Sequence, residues 1–149
     1  MLIGADTETF LINGDNCFPK PVCLTWYNDS TKGPAGLVGN DSREALLYTF
    51  KTLLAPGVTL VFSNASYDLM CMSIEYPELI TEIFDKIGRG EIKCTQIREK
   101  LLNVADHGEL EWVTLPNGKR RRLAYDLAFL LNEYCGIDIS AAKKGEDIW

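Results

Sequence analysis

The chain has a single histidine, no two cysteines in C-x-x-C spacing, and no apolar run near the length of a membrane span. Each shortage removes a class of function. A helix needs about 20 mostly apolar residues to cross a bilayer, so no membrane partner is expected. The first residues lack a basic segment leading into an apolar stretch and a small-residue cleavage site, so no secretory signal is expected either. The cysteines, Cys17, Cys23, Cys71, Cys94 and Cys135, are odd in number and scattered. That pattern argues against a disulfide framework and against a zinc site. A reduced, cytoplasmic setting suits it. Basic residues are scarce as well: 15 Lys and Arg against 21 Asp and Glu leave a net charge of −6. Tight electrostatic binding of duplex nucleic acid needs a basic footprint. Nucleic acid handled at a metal site is still open, because bound cations reverse the local field. There are no repeats, low-complexity tracts or linkers. What is present, 149 residues of which 46% are hydrophobic, suits one domain over 1–149 with a real core.

The first apolar run ends in two carboxylates: Leu2-Ile3-Gly4-Ala5-Asp6-Thr7-Glu8-Thr9-Phe10. In a strand, residues two apart share a face, so Asp6 and Glu8 project side by side and Thr7 turns away. Two carboxylates so close repel unless a cation lies between them. Mg²⁺ suits such a place, because it takes oxygen ligands and accepts substrate phosphates into the same shell. Taken alone, D-x-E is a common pattern, and a polar strand end explains it too.

Periodicity and turn residues give the order of elements. Leu2 to Glu8 and Val22 to Tyr27 read as strands, with Gly36 to Gly39 a short third, in an antiparallel meander. Asp41 or Ser42 caps a helix carrying Ala45, Leu46, Phe50, Leu53 and Leu54, which Pro56-Gly57 ends. Val58 to Phe62 is nearly all apolar, as a buried parallel strand is. Ser63 and Asn64 open a helix through about Glu75. Further helices are expected over Glu78 to Ile87, Thr95 to Val104 and Leu123 to Cys135, the last stopped by Gly136. Glu111 to Val113 and Lys119 to Arg122 form a hairpin around Pro116-Asn117-Gly118, where Asn-Gly favours a type I′ turn. The sum is an α/β chain with a mixed sheet and helices packed on it. The run Lys119-Arg120-Arg121-Arg122 reads as a solvated hairpin strand or as a phosphate-contacting patch. His107 is expected in a loop.

The helix after the buried strand carries a second polar motif, Asn64-Ala65-Ser66-Tyr67-Asp68, leading into Leu69, Met70, Cys71 and Met72. Asn64 and Asp68 are four apart and share a helix face. Asp68 is costly if buried unpaired. Helix capping by Asn64 and a favourable place for Asp68 near the helix N-terminus are the plain explanations. Both motifs follow strands, and in open α/β sheets ligands favour the crevice beyond the strands' C-terminal ends.

Together, D-T-E-T on a first strand and N-x-x-x-D on the helix after an apolar strand resemble the first two motifs of the DEDD 3′–5′ exonucleases. The segment Leu123 to Trp149, with Leu131-Asn132-Glu133-Tyr134-Cys135-Gly136-Ile137-Asp138-Ile139-Ser140, then Lys143-Lys144 and Trp149, looks like the stretch before the third motif in proofreading domains of family A DNA polymerases and in ribonuclease D; Cys94 to Leu102 also looks like the family A type, phage-encoded polymerases above all. The resemblance spans essentially the whole chain. It implies a ribonuclease H-like fold with a five-stranded mixed sheet, an antiparallel meander plus parallel strands with flanking helices. It implies two Mg²⁺ or Mn²⁺ ions held by Asp6, Glu8 and Asp68, and hydrolysis of the 3′-terminal phosphodiester of single-stranded DNA. It implies substrate contacts at Thr7, Thr9, Phe10, Ile12 and Asn64, with Phe10, Leu11 or Ile12 wedged against unstacked bases. It also implies a polymerase domain in the same longer chain or complex, and host cytoplasm if the chain is phage-encoded. A non-catalytic module of the same fold, binding nucleic acid or protein, and a ribonuclease acting on RNA 3′ ends are the alternatives.

The family has a fourth carboxylate, in a Tyr-x-x-x-Asp or His-x-x-x-Asp motif. By spacing the chain offers Tyr134 and Asp138, but Gly136 between them reads as a helix end. The expectation is that the sequence stops at Trp149 short of the third motif, leaving weak Mg²⁺ binding and little turnover.

Overall fold

The computed structural model describes residues 1–28, 33–39 and 42–139. Asp41, Ser140, Lys143, Lys144 and Trp149 lie outside them. The chain divides into two compact units, Met1–Cys94 and Thr95–Trp149.

The first unit is a mixed α/β sheet with helices. Its strands are β1 (Leu2–Thr9), β2 (Pro21–Asn28), β3 (Gly33–Gly39), β4 (Thr59–Phe62) and β5 (Ile92–Cys94), in the order β3-β2-β1-β4-β5. β1 runs antiparallel to β2, and β2 to β3, as a meander does. β4 is parallel to β1 on one side and to β5 on the other. That double pairing explains its apolar sequence, since a central parallel strand meets packed layers on both faces. β5 has only three residues, too few to show strand alternation in the sequence. Gly36 on β3 faces the Trp26 indole of β2, and a Cβ there would run into the ring.

Helix α1 (Arg43–Leu53) starts at Ser42, whose hydroxyl oxygen accepts from the Ala45 amide at 3.1 Å. Of the two expected caps, Ser42 is the one described. α2 is Ala65–Glu75; Pro77–Leu79 forms a 3₁₀ turn leading into α3 (Ile80–Gly88). The core joins strand and helix residues such as Ile3, Leu24, Phe50, Leu60, Phe62 and Met72. Lys86 on α3 is wholly buried. Its ammonium donates to the Leu54 and Ala55 carbonyls at 3.3 and 2.9 Å, beside Glu91 at 3.6 Å. It thus satisfies acceptors that the end of α1 leaves open. Burial pushes the Lys86 pKa down.

The second unit begins with α4 (Thr95–His107), three residues longer than expected, so that His107 ends a helix rather than lying in a loop. A hairpin follows, β6 (Trp112–Thr114) and β7 (Arg120–Arg122). Its turn is not type I′. Pro116 locks φ near −65°, and type I′ needs positive φ at both central residues. Among the described residues only Gly118, at φ 78°, takes positive φ in this turn. The Gly118 amide donates to Leu115 and the Leu115 amide to Lys119, the pattern of a three-residue loop closed by a glycine bulge. α5 (Leu127–Cys135) starts four residues later than expected. Asp126 caps it, accepting from the Phe129 amide at 2.9 Å, and Tyr125 before it has φ 52°. Gly136 ends it in the left-handed region, as expected. No helix among the described residues is long and apolar enough to cross a membrane.

Candidate carboxylate site

β1 alternates as its sequence requires. Ile3, Ala5 and Thr7 are buried, while Asp6 and Glu8 are exposed on the opposite face. The register places Cys23 opposite Glu8 and Thr25 opposite Asp6. Directly opposed residues share a face, so these four line one patch of sheet. Cys23 and Thr25 escaped the sequence reading because only the cross-strand register brings them there. The register slips immediately after Glu8, between it and Thr9. Such bulges re-aim side chains and recur beside functional sites.

Asp68 reaches β1 from the other side. β4 faces β1 only from Leu2 to Gly4. Beyond that point the Thr7 amide goes to Asp68, whose Oδ1 accepts it at 3.0 Å and accepts the Thr7 hydroxyl at 2.6 Å. Asp68 is 3% exposed, so these two bonds account for a buried carboxylate in the first turn of α2. The Thr7 amide also offsets a small part of the rise in the Asp6 pKa, so it serves both carboxyl groups. The motifs therefore meet at Thr7, the residue between the opening pair.

The charges at this meeting point oppose one another. Crowding around the Asp6 carboxyl, then repulsion from Asp68 and Glu8, push its pKa up to about 6, although solvent reaches the side chain. Burial raises Asp68 as well, against the bonds from Thr7. Burial and the two carboxylates of β1 raise the Cys23 thiol, while a backbone hydrogen bond at Glu8 opposes them. Among the described residues no group of three or more His, Cys, Asp or Glu side chains is arranged to hold a metal ion. Asp6 and Glu8 are thus the core of the site, and Asp68 joins it through Thr7.

The remaining candidates fall as follows. Thr7 is buried and occupied by Asp68, so its side chain is not on the exposed face. The Thr9 hydroxyl meets the Tyr67 hydroxyl at 2.7 Å. Phe10, Leu11 and Ile12 are 57%, 79% and 61% exposed, which excludes core packing as their role. Asn64 occupies the N-cap position of α2 without a side-chain cap bond; its Oδ1 accepts from the Ser66 hydroxyl instead. Tyr134 donates to both carboxylate oxygens of Glu99, at 2.8 and 2.9 Å. α5 ends at Cys135, so Tyr134 and Asp138 share no helix face.

Comparison with protein-family models, with curated proteins and with solved structures yields no match to this chain.

Proposed function

We propose that this chain is the 3′–5′ exonuclease domain of a DNA polymerase, acting on single-stranded DNA 3′ ends with Mg²⁺ or Mn²⁺. One observation carries the reading. Asp68, from the second motif, is hydrogen-bonded to Thr7, between the two carboxylates of the first. Asp6 on β1 is repelled by Glu8 on the same strand and by Asp68 in the first turn of α2, and carboxylates crowded in this way suit hard cations. The meander–helix–strand–helix order suits the ribonuclease H-like fold that the resemblance implies.

The donor chemistry fits a divalent ion. Asp6 and Glu8 would hold it, with Asp68 contributing beside Thr7. Bound there, such ions supply a more acidic attacking water and a stabilised leaving oxygen. The chain's own residues do the rest. Phe10, Leu11 and Ile12, all exposed just past Glu8, offer apolar surface to unstacked bases. Asn64, with Ser66, places a polar group at the head of α2. Tyr134 is held by Glu99, so among the described residues it is not free to orient water, and slow turnover is expected.

The test is Mn²⁺ binding by electron paramagnetic resonance, with cleavage of 5′-labelled single-stranded DNA followed on a denaturing gel. Mn²⁺ should bind the parent chain and bind Asp6→Asn and Glu8→Gln at least tenfold more weakly, with slow shortening from the 3′ end. Equal binding by all three proteins would sink the reading. Among the described residues no three acidic side chains are arranged to hold an ion, which suits a second reading, a non-catalytic nucleic-acid-binding module of the same fold. Binding of DNA without Mn²⁺ binding or cleavage would select it.

A further inference from the structure

The hairpin β6–β7 concentrates positive charge in a chain that is acidic as a whole. Lys119, Arg120, Arg121 and Arg122 make up 4 of its 15 basic residues and follow one another without a break. The register pairs Trp112 with Arg122 and Thr114 with Arg120. Trp112, Thr114, Arg120 and Arg122 therefore share one face, and Val113 and Arg121 the other. The guanidinium carbons of Arg120 and Arg122 lie 5.4 and 5.5 Å from the Trp112 ring centre. Trp112 is 44% exposed, and β7 is exposed throughout.

Nothing described neutralises this face. None of the four basic residues forms an ion pair with a described residue. The acid nearest in sequence to Trp112, Glu111, is committed to Asn103, whose amide donates to it at 2.9 Å. The Glu111 amide in turn donates to Asn103 and to the Tyr125 hydroxyl. The turn at Pro116–Gly118 holds the two strands at fixed register. An exposed indole flanked by guanidinium groups that have no ion-pair partner among the described residues is the combination that holds single strands: bases stack on the ring while cations meet phosphates.

We infer that the β6–β7 hairpin is a docking surface for single-stranded nucleic acid, with Trp112 as the stacking platform and Arg120 and Arg122 as phosphate contacts. The inference stands apart from the exonuclease reading, because it needs no metal ion and no cleavage.

The test uses the full chain and a 5′-fluorescein oligo-dT in EDTA, with binding read by anisotropy. Trp112→Ala should weaken binding by roughly 5- to 160-fold, the range of one lost base stack. Trp112→Phe should restore most of it. The double variant Arg120→Ala/Arg122→Ala should lower the slope of log affinity against log salt by about 1.4, two phosphates' worth on a single strand. Lys119→Ala/Arg121→Ala, which spares the platform face, should change affinity less. Mn²⁺ binding should stay that of the parent in every variant, which separates failure here from failure at the carboxylates. The inference falls if the parent does not bind the oligonucleotide, if Trp112→Ala binds as well as the parent, or if poly-glutamate displaces the probe as readily as unlabelled oligo-dT does.

Discussion

Asp6 carries the clearest consequence for stability. Its pKa of about 6 in the folded chain exceeds the ordinary 3.8, so the native state holds this proton more tightly than the unfolded state does. Below about pH 4 both states are protonated and the carboxyl costs nothing. As pH rises through 6 the folded state must carry a repelled charge, and stability falls. Asp6→Asn removes that charge. It should stabilise the fold at pH 7.5 by on the order of 1 kcal/mol, small because solvent screens an exposed group, and so raise the melting temperature there, with the gain gone at pH 4. Thermal melts across that range, run in chelator, check it; a gain that persists at pH 4 would refute the electrostatic cause. The pairing of Asp6 with Glu8 was legible because strand alternation is local. The bond from Thr7 to Asp68 was not, since it joins residues 61 apart in sequence and depends on where β4 stops facing β1.

Among the elements, those with strong local signals matched the sequence reading. β4 took its place from an apolar run, α1 from Ser42, and the end of α5 from Gly136. Misses arose where one residue overrode a pattern. Asp126 starts α5 late because its carboxylate caps the helix there, although Leu123 and Ala124 extend the apolar run. β5 went unread because Ile92-Lys93-Cys94 is too short to show alternation; its pairing with β4 makes it a strand. Asn117-Gly118 suggested type I′, but Pro116 fixes a turn in which Gly118 alone is left-handed. Gly118→Ala meets no steric contact at its Cβ, so its effect is purely that of backbone conformation, about 1–2 kcal/mol. The expected outcome is faster amide exchange at Leu115, which donates to Lys119, with β1 and β4 unchanged. Unchanged exchange at Leu115 would mean that the turn does not hold the hairpin's register.

At the scale of the molecule, burial is unevenly divided. The core cluster, from Ile3 to Ile83, belongs wholly to Met1–Cys94. In Thr95–Trp149 the buried residues among those described are Asn103, Tyr125 and Leu130, of which only Tyr125 is fully enclosed. Within α4, Ile97 and Leu101 are 47% and 65% exposed, so even its apolar residues contribute little enclosed surface. Local stability follows buried apolar contact, and segments with little of it open at a fraction of the global free energy. Native-state hydrogen exchange should therefore divide the chain. Amides of β1, β4 and α2 should exchange only through global unfolding, and those of α4, β6, β7 and α5 sooner. Leu60→Ala, at a fully buried position of β4, should lower the slow class by about 2–5 kcal/mol. The fast class should move less, because its opening does not require the sheet to unfold. A uniform shift of all amides would show instead that the two units unfold as one cooperative body, with the second stabilised by more than its own thin core.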